Sequence, residues 1–249
     1  MSAKSVIRDI KDIRALGTVL TVWAHPDDEC FYAAGLIAAA RVNGQTVCCV
    51  TATKGEGGSQ DPARWPPEKM GRIREAEMEK AMAILGVKQH HWLGYVDGQC
   101  EAADAKEAVA KLVPIIEKVR PDSVITFGPA GSTGHPDHMA VCAWTGAALS
   151  AARLSRRPHL YHAADSREWY ERSGKRIDAA FDYFFAISPP PLIAEADMDL
   201  RFVLPDELLR TKLEALRAHT SQTSRMFAEA AAADLRDMWH QEGFLLADY

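Results

Sequence analysis

The stretch Ala24-His25-Pro26-Asp27-Asp28-Glu29 puts one imidazole and three carboxylates into six consecutive residues. His25 and Asp28 are three apart, and adjacent carboxylates can divide two tasks. Asp28 suits a metal ion while Asp27 handles protons. The plainer reading is a solvated acidic turn, with Asp27 or Asp28 capping a helix and Glu29 favourable in its first turn. Further on, Gly134-His135-Pro136-Asp137-His138 sets two histidines three apart at a helix start. Alone, that pair reads as a proline at the first helical position with a capping aspartate. Together, His25, Asp28 and one of the two later histidines make a two-His, one-carboxylate set. Such a set leaves coordination positions free. It is the layout of a catalytic zinc site, and also of the facial triad of non-haem iron oxygenases.

The surrounding elements predict that the two segments meet. Thr18-Val19-Leu20-Thr21-Val22-Trp23 opens a first strand over about 18–24, followed by a helix over about 30–42 that stops at Asn43-Gly44. Gln45 to Thr53 reads as a second, fully buried strand. A helix over about 67–85 ends at Gly86, and His91-Trp92-Leu93 is a short third strand. Residues 104–119 form an amphipathic helix in which Pro114 marks a kink or a later start. Ser123 to Phe127 is the fourth strand, Gly128 to Gly134 a loop, and 136–151 an Ala-rich helix. Residues 1–17 are a polar lead-in. His159–His162 and Phe181–Ile187 read as further strands, Ser166–Arg176 as a charged connector, and Leu204–Thr220 and Phe227–His240 as helices. This alternation implies a mostly parallel α/β sheet covered on both faces. In the doubly wound order 3-2-1-4-5, strands one and four are neighbours where the order reverses, so both histidine segments emerge at C-terminal strand ends, where such sheets bind ligands.

Composition narrows the function classes. A net charge of −5 argues against a broad nucleic-acid footprint, which needs a basic face. The five cysteines lie in apolar segments without C-x-x-C spacing, as in a cytoplasmic protein with reduced thiols. No secretory h-region and no membrane-spanning run is evident. The chain lacks G-x-x-x-x-G-K-S/T, and no G-x-G-x-x-G follows strand one, which disfavours nucleotide binding. One domain over residues 1–249 is expected.

With both motifs in hand, the sequence resembles the PIG-L/LmbE-like zinc-dependent N-deacetylases. The resemblance extends through Thr53-Lys54-Gly55-Glu56-Gly57, Arg72-Ile73-Arg74-Glu75 with Leu85-Gly86-Val87, and Ala218-His219-Thr220-Ser221-Gln222. It covers most of 18–145 and that tail fragment, and implies a Rossmann-like three-layer α/β/α fold. Residues 150–200 carry no match and would be the variable, substrate-shaping region; 204–240 would be C-terminal helices. Carried over, the resemblance implies that His25, Asp28 and His138 bind zinc, though the same ligands accept Fe2+. Asp27 would be the general base. His135 would stabilise the oxyanion or protonate the leaving amine, and Asp137 would orient or tune His135. Glu56, Arg72, Asp97 and His219 are candidate substrate contacts, each with a plainer reading: surface carboxylate, helical ion pair with Glu75, turn residue, supporting residue. The expected reaction is hydrolytic removal of an N-acetyl group from an N-acetylglucosamine-type sugar or conjugate. The alternatives are an amidase on a thiol-sugar conjugate and, from a different class, the iron oxygenase. Family members often associate, so a homo-oligomer is an open expectation.

Overall fold

Apolar runs become strands buried on both faces. In the computed structural model, which describes residues 5–249, the strands are β1 Ser5–Ile7, β2 Val19–Trp23, β3 Val47–Thr53, β4 Gln89–Tyr95, β5 Ser123–Phe127, β6 His159–Ala164, β7 Leu200–Val203 and β8 Gln241–Ala247. The first four residues of the polar lead-in lie outside the described residues. Every residue of β2, β3 and β5 is buried, which is why their sequences lack polar alternation.

The sheet order is β1-β7-β8-β6-β5-β2-β3-β4. Its parallel half, β4-β3-β2-β5-β6, is the doubly wound arrangement expected, and the order reverses between β2 and β5. The fold is thus α/β and Rossmann-like. Three strands escaped the sequence reading. β8 runs antiparallel between β6 and β7, and β1 pairs in parallel with β7, so both ends of the described chain enter one sheet.

The helices differ from expectation at several points. The helix after β2 breaks at Ala33 into Asp28–Tyr32 and Ala34–Val42. Pro114 is accommodated inside the uninterrupted helix Ala105–Val119. The expected connector Ser166–Arg176 is helical from Arg167 and runs on to Phe181. Phe181–Ile187 is not a strand. Asp182 adopts a left-handed conformation (φ 54°) that closes the preceding helix, and its N–H donates to Asp178 O at 2.7 Å. The aromatic residues that suggested a strand instead line a cleft, described below. The two C-terminal helices expected are three: Asp206–Ala218, Thr220–Glu229 and Ala232–Trp239, with His219 at the first break.

One buried ion pair ties the C-terminal strand to the helix that follows the first motif. Lys212 Nζ and Glu242 Oε1 are 2.8 Å apart, both 1% exposed. The Glu242 carboxylate also accepts the Gly35 and Leu36 N–H groups at 2.7 and 2.8 Å, satisfying orphan donors at a helix start.

Candidate active site

β2 ends at Trp23, and the chain turns at once through His25 to Asp28. Asp27 sits at φ 111°, a conformation that costs a non-glycine residue about 1–3 kcal/mol and clusters at functional sites. The expected capping role is absent: the Asp27 side chain makes no cap hydrogen bond, and its own N–H donates to Glu29 Oε2 at 3.3 Å. β5 ends at Phe127, whose ring stacks on His138 at 4.0 Å and 9°. His135 caps the helix Pro136–Ala151, its Nδ1 accepting the Asp137 N–H at 3.1 Å.

These turns bring His25, Asp28 and His138 face to face. His25 Nδ1 is 3.2 Å from His138 Nε2 and 3.6 Å from Asp28 Oδ2; His138 Nε2 is 3.4 Å from Asp28 Oδ1. All three residues are buried. A tetrahedral centre with bonds of about 2.0–2.1 Å has ligand–ligand edges of about 3.3–3.4 Å, so this triangle fits a divalent cation.

The hydrogen bonds at the far ring nitrogens reinforce that fit. His138 Nδ1 is 2.9 Å from Gly131 O, and His25 Nε2 is 2.9 Å from Asp97 Oδ1 and 3.2 Å from Asp137 Oδ2. Those partners accept, so Nδ1–H on His138 and Nε2–H on His25 donate. The remaining nitrogens then point bare lone pairs at each other across 3.2 Å, which calls for a positive charge between them. A proton on His25 can supply that charge as a cation can: burial opposes it, yet hydrogen bonds to Asp137 and Asp97 and the Asp28 charge raise the His25 pKa to about 10. Burial raises Asp28 to about 8 against the pull of His25. Burial and the His25 charge push His138 well below its usual value.

Asp27 stands beside this triangle. Arg74 Nη2 is 3.2 Å from its Oδ2 and donates to Pro26 O at 2.7 Å, while Nη1 donates to Gly55 O at 3.0 Å. Gly55 is required here: it has φ +64°, and a Cβ would sit 2.3 Å from the Arg74 guanidinium carbon. Burial raises the Asp27 pKa, and the Arg74 charge opposes the rise.

The other candidates divide. Asp97 lines the cleft and also grips His25; its Oδ2 accepts the Gly57 N–H at 2.9 Å. Burial alone would raise its pKa, but the His25 hydrogen bond and charge hold it well below the carboxylate range. The Asp137 carboxylate serves His25 and the Gly98 and Cys100 N–H groups, at 2.7 and 3.0 Å, rather than His135. Glu56 lies just outside the cleft, accepting the Asp97 N–H at 3.3 Å. Arg72 points to solvent; the site arginine is Arg74, two residues on. The buried stripe Met70, Arg74, Met78, Met82 repeats every four residues, a phase that excludes position 72 and identifies 74. His219 is no rim residue: it is fully buried, with Nε2 3.3 Å from Glu29 Oε1.

The cleft over these groups has a volume of about 480 Å³. It is also lined by Gly57 and Gln222, which lie in segments that carry the family resemblance, and by Gly58, Gln60, Phe181, Tyr183, Phe185 and Met226, which the motifs did not single out.

A doubly wound sheet with this donor triangle at its reversal point is an α/β fold with a candidate centre for a divalent cation. The chain belongs to the PIG-L family, described as GlcNAc-PI de-N-acetylase, which it matches over residues 20–149. A 1D-myo-inositol 2-acetamido-2-deoxy-alpha-D-glucopyranoside deacetylase of Actinosynnema mirum is 33% identical over 231 residues, 83% of this chain and 81% of that one. The protein of that name from Corynebacterium diphtheriae is 28% identical over 92% of this chain and 82% of its own. Among solved structures, N,N'-diacetylchitobiose deacetylase from Pyrococcus horikoshii shares the fold, with a TM-score of 0.69 and 23% identity, covering 96% of this chain and 87% of that one.

Proposed function

We propose that the protein is a zinc-dependent hydrolase that removes the N-acetyl group from an N-acetylglucosamine-type sugar conjugate. The observation that carries this reading is the 3.2–3.6 Å triangle of His25, Asp28 and His138 with Asp27 beside it, in a chain of a de-N-acetylase family. His25, Asp28 and His138 hold the ion, which when bound supplies Lewis acidity toward an amide carbonyl and acidifies water. Both imidazoles and the carboxylate are ordinary zinc ligands.

Asp27 takes the proton from the attacking water, with Arg74 keeping its carboxylate oriented. His135 accepts at Nδ1 from the Asp137 N–H, so its neutral form carries the proton at Nε2 and donates to the developing oxyanion. Burial lowers its pKa and favours that neutral form. Asp97 and Asp137 hold the His25 ring with Nδ1 toward the ion. The polar lining at Gly57, Gly58 and Gln222 suits sugar hydroxyls.

The named relatives and the family match favour the deacetylase over the thiol-sugar amidase and the iron oxygenase. No helix among the described residues is long and apolar enough to cross a membrane. Five buried cysteines without a disulfide support a reducing, cytoplasmic setting. The test is release of primary amine from N-acetylglucosamine conjugates with metal-loaded protein and after chelation. No amine release from any conjugate by the loaded protein rejects the reading.

A further inference from the structure

The cleft carries an apolar surface that acetyl transfer to water does not require. Phe185 is 56% exposed and borders the cleft. Its ring stands 5.8 Å from that of His135, which is 4.7 Å from His25, so the apolar surface begins at the reacting centre. Phe181, Tyr183 and Met226 line the same cleft.

This wall is built into the fold. Asp178 accepts the Phe184 N–H at one oxygen (2.9 Å) and the Tyr170 hydroxyl at the other (3.0 Å), pinning the turn that presents Phe181 and Phe185. The turn packs directly on the loop that carries His135. A Cβ at Gly134 (φ +80°) would stand 2.6 Å from Ile187 Cβ and 2.8 Å from the Ala186 carbonyl, so only glycine permits the approach. The wall is therefore fixed relative to the centre.

We propose that the substrate carries a hydrophobic substituent, aryl or alkyl, beside its amide, and that Phe185 with Phe181 and Met226 holds it. The proposal rests on the deacetylase reading above. On a 2-acetamido sugar, a group at C1 is one carbon away from the amide-bearing carbon, close enough to reach a wall that starts 5.8 Å from the His135 ring. A longer N-acyl chain would present the same chemistry from the other side of the nitrogen. A polyol in that place would leave the phenylalanines wet. An aryl or alkyl group removes their surface from water, on the order of a tenfold gain for roughly 60 Å² buried.

The test compares kcat/KM for amine release from four compounds: N-acetylglucosamine, its inositol glycoside, its phenyl glycoside, and N-octanoylglucosamine. The expected result is that the phenyl glycoside exceeds the free sugar and the inositol glycoside by about tenfold or more, and that Phe185→Ser shrinks this ratio at least several-fold. A gain confined to N-octanoylglucosamine assigns the wall to the acyl chain and upholds the proposal. Turnover of the inositol glycoside equal to or above that of both the phenyl glycoside and N-octanoylglucosamine, or an advantage that Phe185→Ser leaves unchanged, overturns it. Calorimetric binding of phenyl glucosaminide against glucosamine reads the wall without turnover. If no compound is hydrolysed, the deacetylase reading fails, and this binding ratio, lost or kept in Phe185→Ser, still decides the wall.

Discussion

His219 and Glu29 form a buried pair, Nε2 to Oε1 at 3.3 Å with both side chains at 0% exposure. Glu29 uses its other oxygen to hold the Asp27 N–H. The pair therefore stands behind the residue assigned as general base and fixes its left-handed backbone. His219→Ala should lower kcat by roughly tenfold or more with little change in KM and unchanged metal content, measured by steady-state kinetics and metal analysis. His219→Gln, which restores a donor, should recover part of the loss. His219→Ala also loses stability, because removing one partner of a buried pair costs about 3–5 kcal/mol.

Asp27 and Asp28 are adjacent and should separate cleanly. Asp27→Ala should retain stoichiometric metal and lose about 10²–10⁴ in kcat. Asp28→Ala and His138→Ala should lose metal affinity as well, read by metal content after dialysis. Full activity in Asp27→Ala at equal metal content would reject this division of roles.

Arg74 and Arg72 lie two residues apart on one helix and face opposite ways. Arg74→Ala leaves Asp27, Pro26 O and Gly55 O without their donor. It should reduce kcat/KM by roughly 10–100-fold and cost about 1–3 kcal/mol of stability. Arg72→Ala should stay within about 0.5 kcal/mol of the wild type and leave kinetics intact. Denaturant unfolding and kinetics on the two variants check the assignment.

Asp165 gives a pH dependence with a definite sign. Burial raises its pKa from 3.8 to about 7, against the pull of Lys212, and its Oδ2 has no partner. The folded state thus holds a proton that the unfolded chain releases earlier. Stability from this group is full below about pH 4, declines as the pH rises, and is lost above about pH 7. Asp165→Asn should therefore gain on the wild type between pH 4 and 8 in urea midpoint. A constant difference across that range would refute the assignment.

The parallel half of the sheet was legible in the sequence because β2, β3 and β5 are short continuous apolar runs, each followed by a helical pattern. β1, β7 and β8 were not, since each has half-exposed positions and β8 pairs only through distant neighbours. The metal triangle could be read because His25, Asp28, His135 and His138 sit at strand ends whose order fixes their meeting. Asp137 and His219 were legible as residues beside the site, but their partners Glu29, His25, Gly98 and Cys100 were not, because a motif gives proximity in sequence and not which partner a carboxylate or imidazole will reach. The aromatic turn 181–185 was mistaken for a strand, since residues that line a cleft and residues that fill a sheet draw on the same amino acids.

Glu242 belongs to the last strand made, yet it closes the helix beside the first motif, more than two hundred positions earlier. During synthesis the ribosome releases His25, Asp28 and His138 long before their surroundings can be locked. A chain cut short before Glu242 leaves Lys212 stranded in an apolar interior and the Gly35 and Leu36 amides open. Such a fragment carries the candidate ligands His25, Asp28 and His138 without the carboxylate that fastens the helix beside them.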